Sequence, residues 1–242
     1  KGKVVGITGS AGKTTLKETL AYFLKKIQLI SYSKKSYNNK LGVLISLLNL
    51  NLKSSYAIFE IGTNNYGEIR NLTKIVRPEQ IFITNIQSTH LENFKTQSNI
   101  AREKSDIFKY AYNNKRKKLY VNIKTKPEEI ILKKGKIENN LKIIRINEIS
   151  KKYYLKKIIP YKNYYQVIFS INNRDILLNT KYIIEFRLIN ILYCYAFFNE
   201  NFLDFSAITK YYKYLKPVTG RGLSHNISIN NKKIKIIDES YN

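Results

Sequence analysis

The spacing of apolar residues changes period early in the chain. Val4, Val5 and Ile7 form a short apolar run, as in a strand buried on both faces. Leu16, Leu20, Phe23 and Leu24 then recur at helical spacing, which predicts a helix from Leu16 to Lys26 with one buried face. The alternation continues with a strand over Leu29–Ser33, an apolar helix over Val43–Leu50 and a continuous apolar run over Tyr56–Ile61, the pattern of a central parallel strand. A glycine-bounded turn, Gly62 to Ile69, leads into a helix through Lys74. A strand over Gln80–Asn85 follows, then a helix from about Ser98 to Tyr110 with Ile100, Ile107 and Phe108 on its inner face.

Past Lys118 the pattern loosens. Leu119–Ile123, Leu141–Ile146, Tyr164–Ile171 and Asp175–Leu178 read as short strands, the last pair joined at Asn172-Asn173. Buried helices are expected over Tyr182–Phe198 and Phe205–Leu215. A closing hairpin, His225–Ile229 with Lys232–Ile237, turns at Asn230-Asn231. The sum is an α/β chain: a mostly parallel, doubly wound sheet with a small antiparallel β element in the second half.

At 242 residues the chain can form one large domain or two small ones around a sizeable core. No run approaches the roughly 18 uncharged apolar residues of a membrane span. Lys1-Gly2-Lys3 leads straight into a strand without signal-peptide anatomy, so a soluble, cytoplasmic chain without membrane insertion is expected. A single cysteine, Cys194, excludes an internal disulfide and a multi-cysteine zinc site; its neighbours Leu192, Tyr193, Tyr195 and Ala196 point to a buried thiol.

Charge complicates the picture. With 43 Lys+Arg against 17 Asp+Glu, the formal +26 taken alone points to nucleic acid or another polyanion. Yet the lysines are spread along the whole chain beside abundant Asn, Ile and Tyr, and Trp and Met are absent, as A/T-rich codons would write. The excess therefore reads as codon bias that still favours anionic substrates such as nucleotides, with Lys115–Lys118 and Lys133–Lys136 as solvated loops.

The chemistry concentrates at the first strand-to-helix junction. Gly9, Ser10, Ala11, Gly12, Lys13, Thr14 and Thr15 follow the first strand and open the first helix, the order of a phosphate-binding loop. Glycines let backbone N–H groups approach phosphate oxygens, the helix N-terminus adds partial positive charge, Lys13 supplies a cation and a threonine hydroxyl can hold Mg²⁺. The loop is shorter than the usual G-x-x-x-x-G-K-[ST], whose first glycine would fall at Ile7. Asn38 and Asn39 stand at the entrance of the second helix, as capping residues or as amide donors to phosphate. Glu60, near the end of a central strand, should face the same crevice and suits Mg²⁺. His90 lies just past the next strand and Lys104 within the helix that follows. Alone, each reads as an ordinary polar residue.

Together these residues resemble the Mur ligases, ATP-dependent amide-forming enzymes of peptidoglycan synthesis. T-G-S-A-G-K-T-T, N-N-K-L-G, E-I-G-T-N-N-Y-G-E-I, T-N-I-Q-S-T-H-L-E-N-F, I-A-R-E-K-S-D-I-F, then G-R-G and D-E-S-Y-N follow in that family's order, over essentially the whole chain. The resemblance is to the family's central ATP-binding domain. Residues 1–242 are expected to be an excerpt, with a UDP-binding domain before and an amine-binding domain after. Asn38, the E-x-G-x-N-x-x-G-E-I string and D-E-S-Y-N look like the branch that adds D-alanyl-D-alanine to UDP-MurNAc-tripeptide.

The resemblance implies a ligase that uses ATP and two Mg²⁺ ions, with UDP-MurNAc-peptide and D-Ala-D-Ala as substrates, no nucleic-acid partner and a monomeric state. Lys13 and the loop would hold the β and γ phosphates, Thr14 and Glu60 the first metal, and His90 with a carbamate formed from CO₂ on Lys104 the second. Lys13, Lys104 and His90 would thus be the catalytic groups. Asn39, Asn190, Arg221 and Asp238 match nucleotide-contacting positions, Asp238 as a ribose partner. The chain departs from the family at Leu44, usually Pro, and at Asn65, often His. The adenine-contacting H-N-x-x-N appears as F-R-L-I-N, Phe186 to Asn190, keeping only Asn190. Either Arg187 stacks in place of the lost contact or nucleotide binding has weakened. Two other readings stay open: a Mur-type ligase adding a single amino acid or glutamate, and a nucleic-acid-binding P-loop ATPase.

Overall fold

A computed structural model describes residues 2–109, 117–122, 124, 127–137, 141–149, 151–229, 232–238 and 240. The elements run β1 (Lys3–Thr8), α1 (Lys13–Leu24), β2 (Ile30–Tyr32), α2 (Lys40–Leu48), β3 (Tyr56–Glu60), α3 (Glu68–Val76), β4 (Gln80–Ile83), α4 (Leu91–Phe94) and α5 (Gln97–Ser105). They continue with β5 (Lys117–Asn122), α6 (Glu128–Ile137), β6 (Leu141–Ile146), β7 (Tyr153–Pro160), β8 (Tyr165–Ile171), β9 (Arg174–Thr180), α7 (Glu185–Glu200), α8 (Ser206–Tyr211), β10 (Leu223–Ile229) and β11 (Lys232–Asp238).

Six strands form one sheet in the order β2-β3-β1-β4-β5-β6, and every neighbouring pair is parallel. Strand alternation builds two cores. Val5, Ile7, Ile58, Phe82 and Tyr120 point to one face, against α1 and α7; Phe59, Ile81, Ile83, Leu119 and Val121 point to the other, against α3, α5 and α6. That two-sided burial explains why the strands read as unbroken apolar runs. The antiparallel parts are a three-stranded sheet, β7-β8-β9, and the ribbon β10-β11. The expected α/β class with a parallel, doubly wound sheet therefore holds.

The second half is more regular than its pattern. Leu119 and the segment Leu141–Ile146 extend the parallel sheet as β5 and β6. The helix between them, α6, takes in Lys133–Lys136, which the charge pattern assigns to a loop. Ile131 is fully buried and Gly135 packs close to Leu141, so three lysines ride on a helix held by a narrow apolar contact. Lys117 is likewise buried at the start of β5 rather than solvated. Strand β7 and the short α4 have no counterpart among the predicted elements. Tyr110, Lys115, Arg116, Ile123 and the Asn230-Asn231 turn lie outside the described residues.

The sheet order positions the site. β1 comes first in sequence but lies between β3 and β4, so the chain leaves it in opposite directions. Ligands of open α/β sheets bind at such a reversal, beyond the carboxyl ends of the strands. Gly9, Glu60 and Thr84 follow or end β1, β3 and β4, and all three reach that crevice.

Candidate nucleotide site

The loop between β1 and α1 is held from its far side. Gly9 has φ 147°, and a Cβ there would lie 1.9 Å from Thr84 Oγ1. Thr84 Oγ1 in turn donates to the Ala11 carbonyl at 2.6 Å, so a larger residue at position 9 would break that contact. The Ser10 amide donates to Asn85 O at 3.0 Å, the Ala11 amide to Asn85 Oδ1 at 2.9 Å, and the Gln87 amide to Ser10 Oγ at 2.9 Å. Gly12, in a left-handed conformation at φ 78°, turns the chain into α1, whose first intrahelical bond is Leu16 N–H to Gly12 O. The helix thus starts at Lys13, earlier than its apolar spacing predicts. Its first-turn amides have no intrahelical acceptors and open onto the crevice.

Lys13 folds back over the loop and donates to Gly9 O at 2.9 Å and Ser10 O at 3.2 Å. Burial lowers its pKa, Glu60 opposes that shift and Arg221 adds to it. Thr14 Oγ1 donates to Glu60 Oε2 at 2.8 Å, lies 3.1 Å from Ser36 Oγ and accepts from Arg221 Nη2 at 3.3 Å. Glu60 is 1% exposed and also accepts from Asn38 Nδ2 at 2.8 Å. A carboxylate and a hydroxyl beside a phosphate loop are hard oxygen donors, too few for an all-protein cage and suited to Mg²⁺, which keeps waters and substrate phosphates as ligands. Among the described residues no cluster of three or more His, Cys, Asp or Glu forms a cage, in keeping with that donor set.

Lys104 comes to the same place from α5. Its side chain is 3% exposed; burial first, then the neighbouring Lys13 charge, push its pKa down to about 7, while Glu103 pulls the other way. Glu103 itself is buried and accepts from the amides of Gly67 at 2.9 Å and Ile69 at 3.0 Å, which fastens α5 to the N-terminus of α3. His90 is placed differently. It opens α4 in a left-handed conformation at φ 55°, its side chain is 44% exposed, and its Nδ1 lies 3.7 Å from Glu92 Oε1. The structure therefore brings Lys13, Thr14, Glu60 and Lys104 together and leaves His90 on the loop beyond Gln87, facing its own neighbour.

A cavity of about 580 Å³ runs from Gly12 and Thr15, past Asn85, to Phe186, Ile189 and Asn190 on α7. Asn190 is 6% exposed and its Nδ2 has no hydrogen-bond partner among the described residues. An orphaned buried donor on the wall of a cavity fits a ligand acceptor. Arg187 Nη2 donates to the carbonyls of Arg221 and Gly222, both at 3.4 Å, and its guanidinium lies 6.0 Å from the centre of the Phe186 ring. Phe186, half exposed, faces the cavity. Asn39 is the N-cap of α2, its side chain accepting from Gly42 N–H at 2.9 Å, so capping fixes its oxygen and Asn38 makes the contact with Glu60. Asp238 accepts from the Gly220 amide at 3.0 Å and from Ser240 Oγ at 2.6 Å, which shapes the turn carrying Arg221.

A family model described as the Mur ligase middle domain matches residues 7–198. The chain belongs to the Mur ligase family. Among curated relatives, the UDP-N-acetylmuramoyl-tripeptide--D-alanyl-D-alanine ligase of Rickettsia prowazekii is 43% identical over 109 residues, 45% of this chain and 24% of that protein. The Escherichia coli ligase of the same name is 38% identical over 106 residues, 44% and 24% of the two chains. Of solved Mur ligase structures, MurF from Acinetobacter baumannii superposes with a TM-score of 0.86 at 26% identity, covering 99% of this chain and 51% of that one. MurF from Thermotoga maritima, solved with ADP, gives a TM-score of 0.80 at 23% identity over 100% of this chain and 54% of that one, a likeness of fold. The chain thus spans about half the length of these solved relatives. No helix among the described residues is long and apolar enough to cross a membrane.

Proposed function

We propose that this chain is the ATP-binding central domain of a cytoplasmic ligase that adds D-alanyl-D-alanine to UDP-MurNAc-tripeptide, releasing ADP and phosphate. The observation that carries the reading is the buried Thr14–Glu60 pair, 2.8 Å apart at the mouth of the phosphate loop, with Lys13 and Lys104 beside it. The names of the relatives support the substrates.

In this reading the first-turn amides of α1 and the Lys13 ammonium hold the β and γ phosphates of ATP. Thr14 and Glu60 would hold Mg²⁺, which supplies charge neutralisation to the phosphates when bound. The terminal carboxylate of the tripeptide attacks the γ-phosphoryl group, forming an acyl phosphate with ADP as leaving group. The amine of the incoming dipeptide displaces phosphate and loses a proton to give the amide. Chemistry of this kind is mostly positioning and electrostatic stabilisation, which is what a rigid loop with converging cations supplies. Base binding falls to Phe186, as a stacking face, and to the Asn190 amide.

Lys104 has a second part in the proposal. An amine with a pKa near 7 is substantially neutral at physiological pH. Its nitrogen can add to CO₂, forming an N–C bond and releasing one proton, which turns a cation beside Lys13 into an anionic oxygen donor. A second Mg²⁺ would then be held by that carbamate, with His90 as a further ligand.

In the full-length protein, Lys13→Ala and Lys104→Ala are both expected to abolish ligation. Added bicarbonate should raise activity only while Lys104 is present, and a small carboxylate should restore the Lys104→Ala variant in part. Wild-type activity in that variant would remove the carbamate from the scheme.

A further inference from the structure

Lys17 is a buried cation that the proposed reaction leaves unused. It lies on α1 one turn past Lys13, and its side chain has no exposure to solvent. Its Nζ donates to the carbonyls of Ser33, at 2.7 Å, and Lys35, lies 3.1 Å from Glu18 Oε1 and stands 3.9 Å from Glu60 Oε2. A buried ammonium is tolerated only when it is paired and hydrogen-bonded, and here the pairing has a direction. Both carbonyls belong to the segment between β2 and α2. The residues that follow them make the outer contacts of the Thr14–Glu60 pair. Ser36 Oγ lies 3.1 Å from Thr14 Oγ1, and Asn38 Nδ2 donates to Glu60 Oε1 at 2.8 Å. Asn38 has little room to shift: its carbonyl accepts from Gly62 N–H at 2.8 Å, and a Cβ at Gly62 would lie 2.8 Å from Asn38 Cγ.

We propose that Lys17 is a positioning residue for the divalent cation of the nucleotide complex. It ties the Ser33–Lys35 segment to α1, so that Ser36 and Asn38 hold the Thr14 hydroxyl and the Glu60 carboxylate where a metal can take both. It also places its ammonium 3.9 Å from Glu60 Oε2, on the side away from Asn38's contact with Oε1. Lys35 adopts φ 47°, a left-handed conformation that a lysine rarely takes and that its carbonyl bond to Lys17 helps to hold. The inference rests on the reading of Thr14 and Glu60 as metal ligands.

The test is ATP binding by titration calorimetry in the full-length protein, with Mg²⁺ and with EDTA. The quantity read is the ratio of the two affinities. Glu60→Gln should lose the Mg²⁺ enhancement; if it does not, the metal reading itself fails, whatever Lys17 does. With that established, Lys17→Met and Asn38→Ala are each expected to cut the ratio about tenfold, as loss of support behind a ligand commonly does. The double variant should be no worse than Lys17→Met, because both changes act through one segment. A wild-type ratio in folded Lys17→Met, or full additivity in the double variant, overturns the proposal. Where Lys17→Met does not fold, Lys17→Gln carries the test, since it keeps a donor for the two carbonyls. A drop of about threefold is then expected, and an unchanged ratio overturns the proposal.

Discussion

Lys104 shows how far burial, with a like charge beside it, can change what a side chain is able to do. The unfolded chain holds this lysine near its ordinary value of 10.5, whereas the folded protein holds it near 7. Between those two values the unfolded state binds more protons, so the native state gains stability as pH rises through that window, and below about pH 7 the full penalty applies. Lys104→Met is therefore expected to be more stable than wild type near pH 6 in urea titrations, with the difference shrinking toward pH 10. Phe186 gives a second prediction at this scale. Phe186→Ala should weaken ATP binding about tenfold through lost stacking, while inorganic tripolyphosphate, which has no base, competes as well as before. Thr14 and Glu60 were legible in the sequence because the order of the phosphate loop and a strand end point to one edge of a parallel sheet, whereas Lys104, by itself an ordinary helix lysine, stood out only through the family resemblance. Lys17, Ser36 and Glu103 were not legible, since their meaning comes from segments distant in sequence that fold against them. His90 shows the converse: a suggestive position past a strand end, with a side chain turned to Glu92.

Elements are fastened to one another by a few buried polar groups, of which Glu200 does most. It ends α7, and its carboxylate accepts from Lys142 on β6 at 2.7 Å, and from Lys152 at 2.9 Å and Tyr153 Oη at 2.8 Å at the start of β7. Burial pushes this carboxyl up, but the hydrogen bonds from Lys142, Lys152 and Tyr153 outweigh it and hold the group at about 2. Its contribution is complete above pH 4.5 and disappears as pH falls toward 2. Glu200→Gln should cost about 1 kcal/mol at pH 7, because it weakens the bond from the buried Tyr153 hydroxyl while the half-exposed Lys142 and Lys152 can turn to water, and much less at pH 2. Chemical denaturation at the two pH values checks this. The same clamp explains why β7 escaped the pattern: Tyr153 is fully buried, but Lys156 and Lys157 break the alternation along the strand. Helix α6 escaped for a related reason, its apolar contact being only a few residues wide. Segments with two buried faces announce themselves; those held by one edge and a salt bridge do not.

Across the whole molecule the +26 charge has no single home. Self-repulsion of that size should be relieved by salt, so the thermal midpoint is expected to rise between low and moderate ionic strength. A gain of about 1 kcal/mol corresponds to roughly 2–4 °C for a chain of this length. A midpoint that falls with salt would mean that attractive pairs dominate instead. One feature of the nucleotide site acts at this largest scale: Ser10 and Ala11 are already bonded to Asn85 and Gln87, across the reversal of the sheet. The receptor consequently has its working shape in advance, and little order has to be created on docking. Arrival of nucleotide should then be limited by diffusion and charge, and a stopped-flow trace should show a single phase with no slow rearrangement behind it.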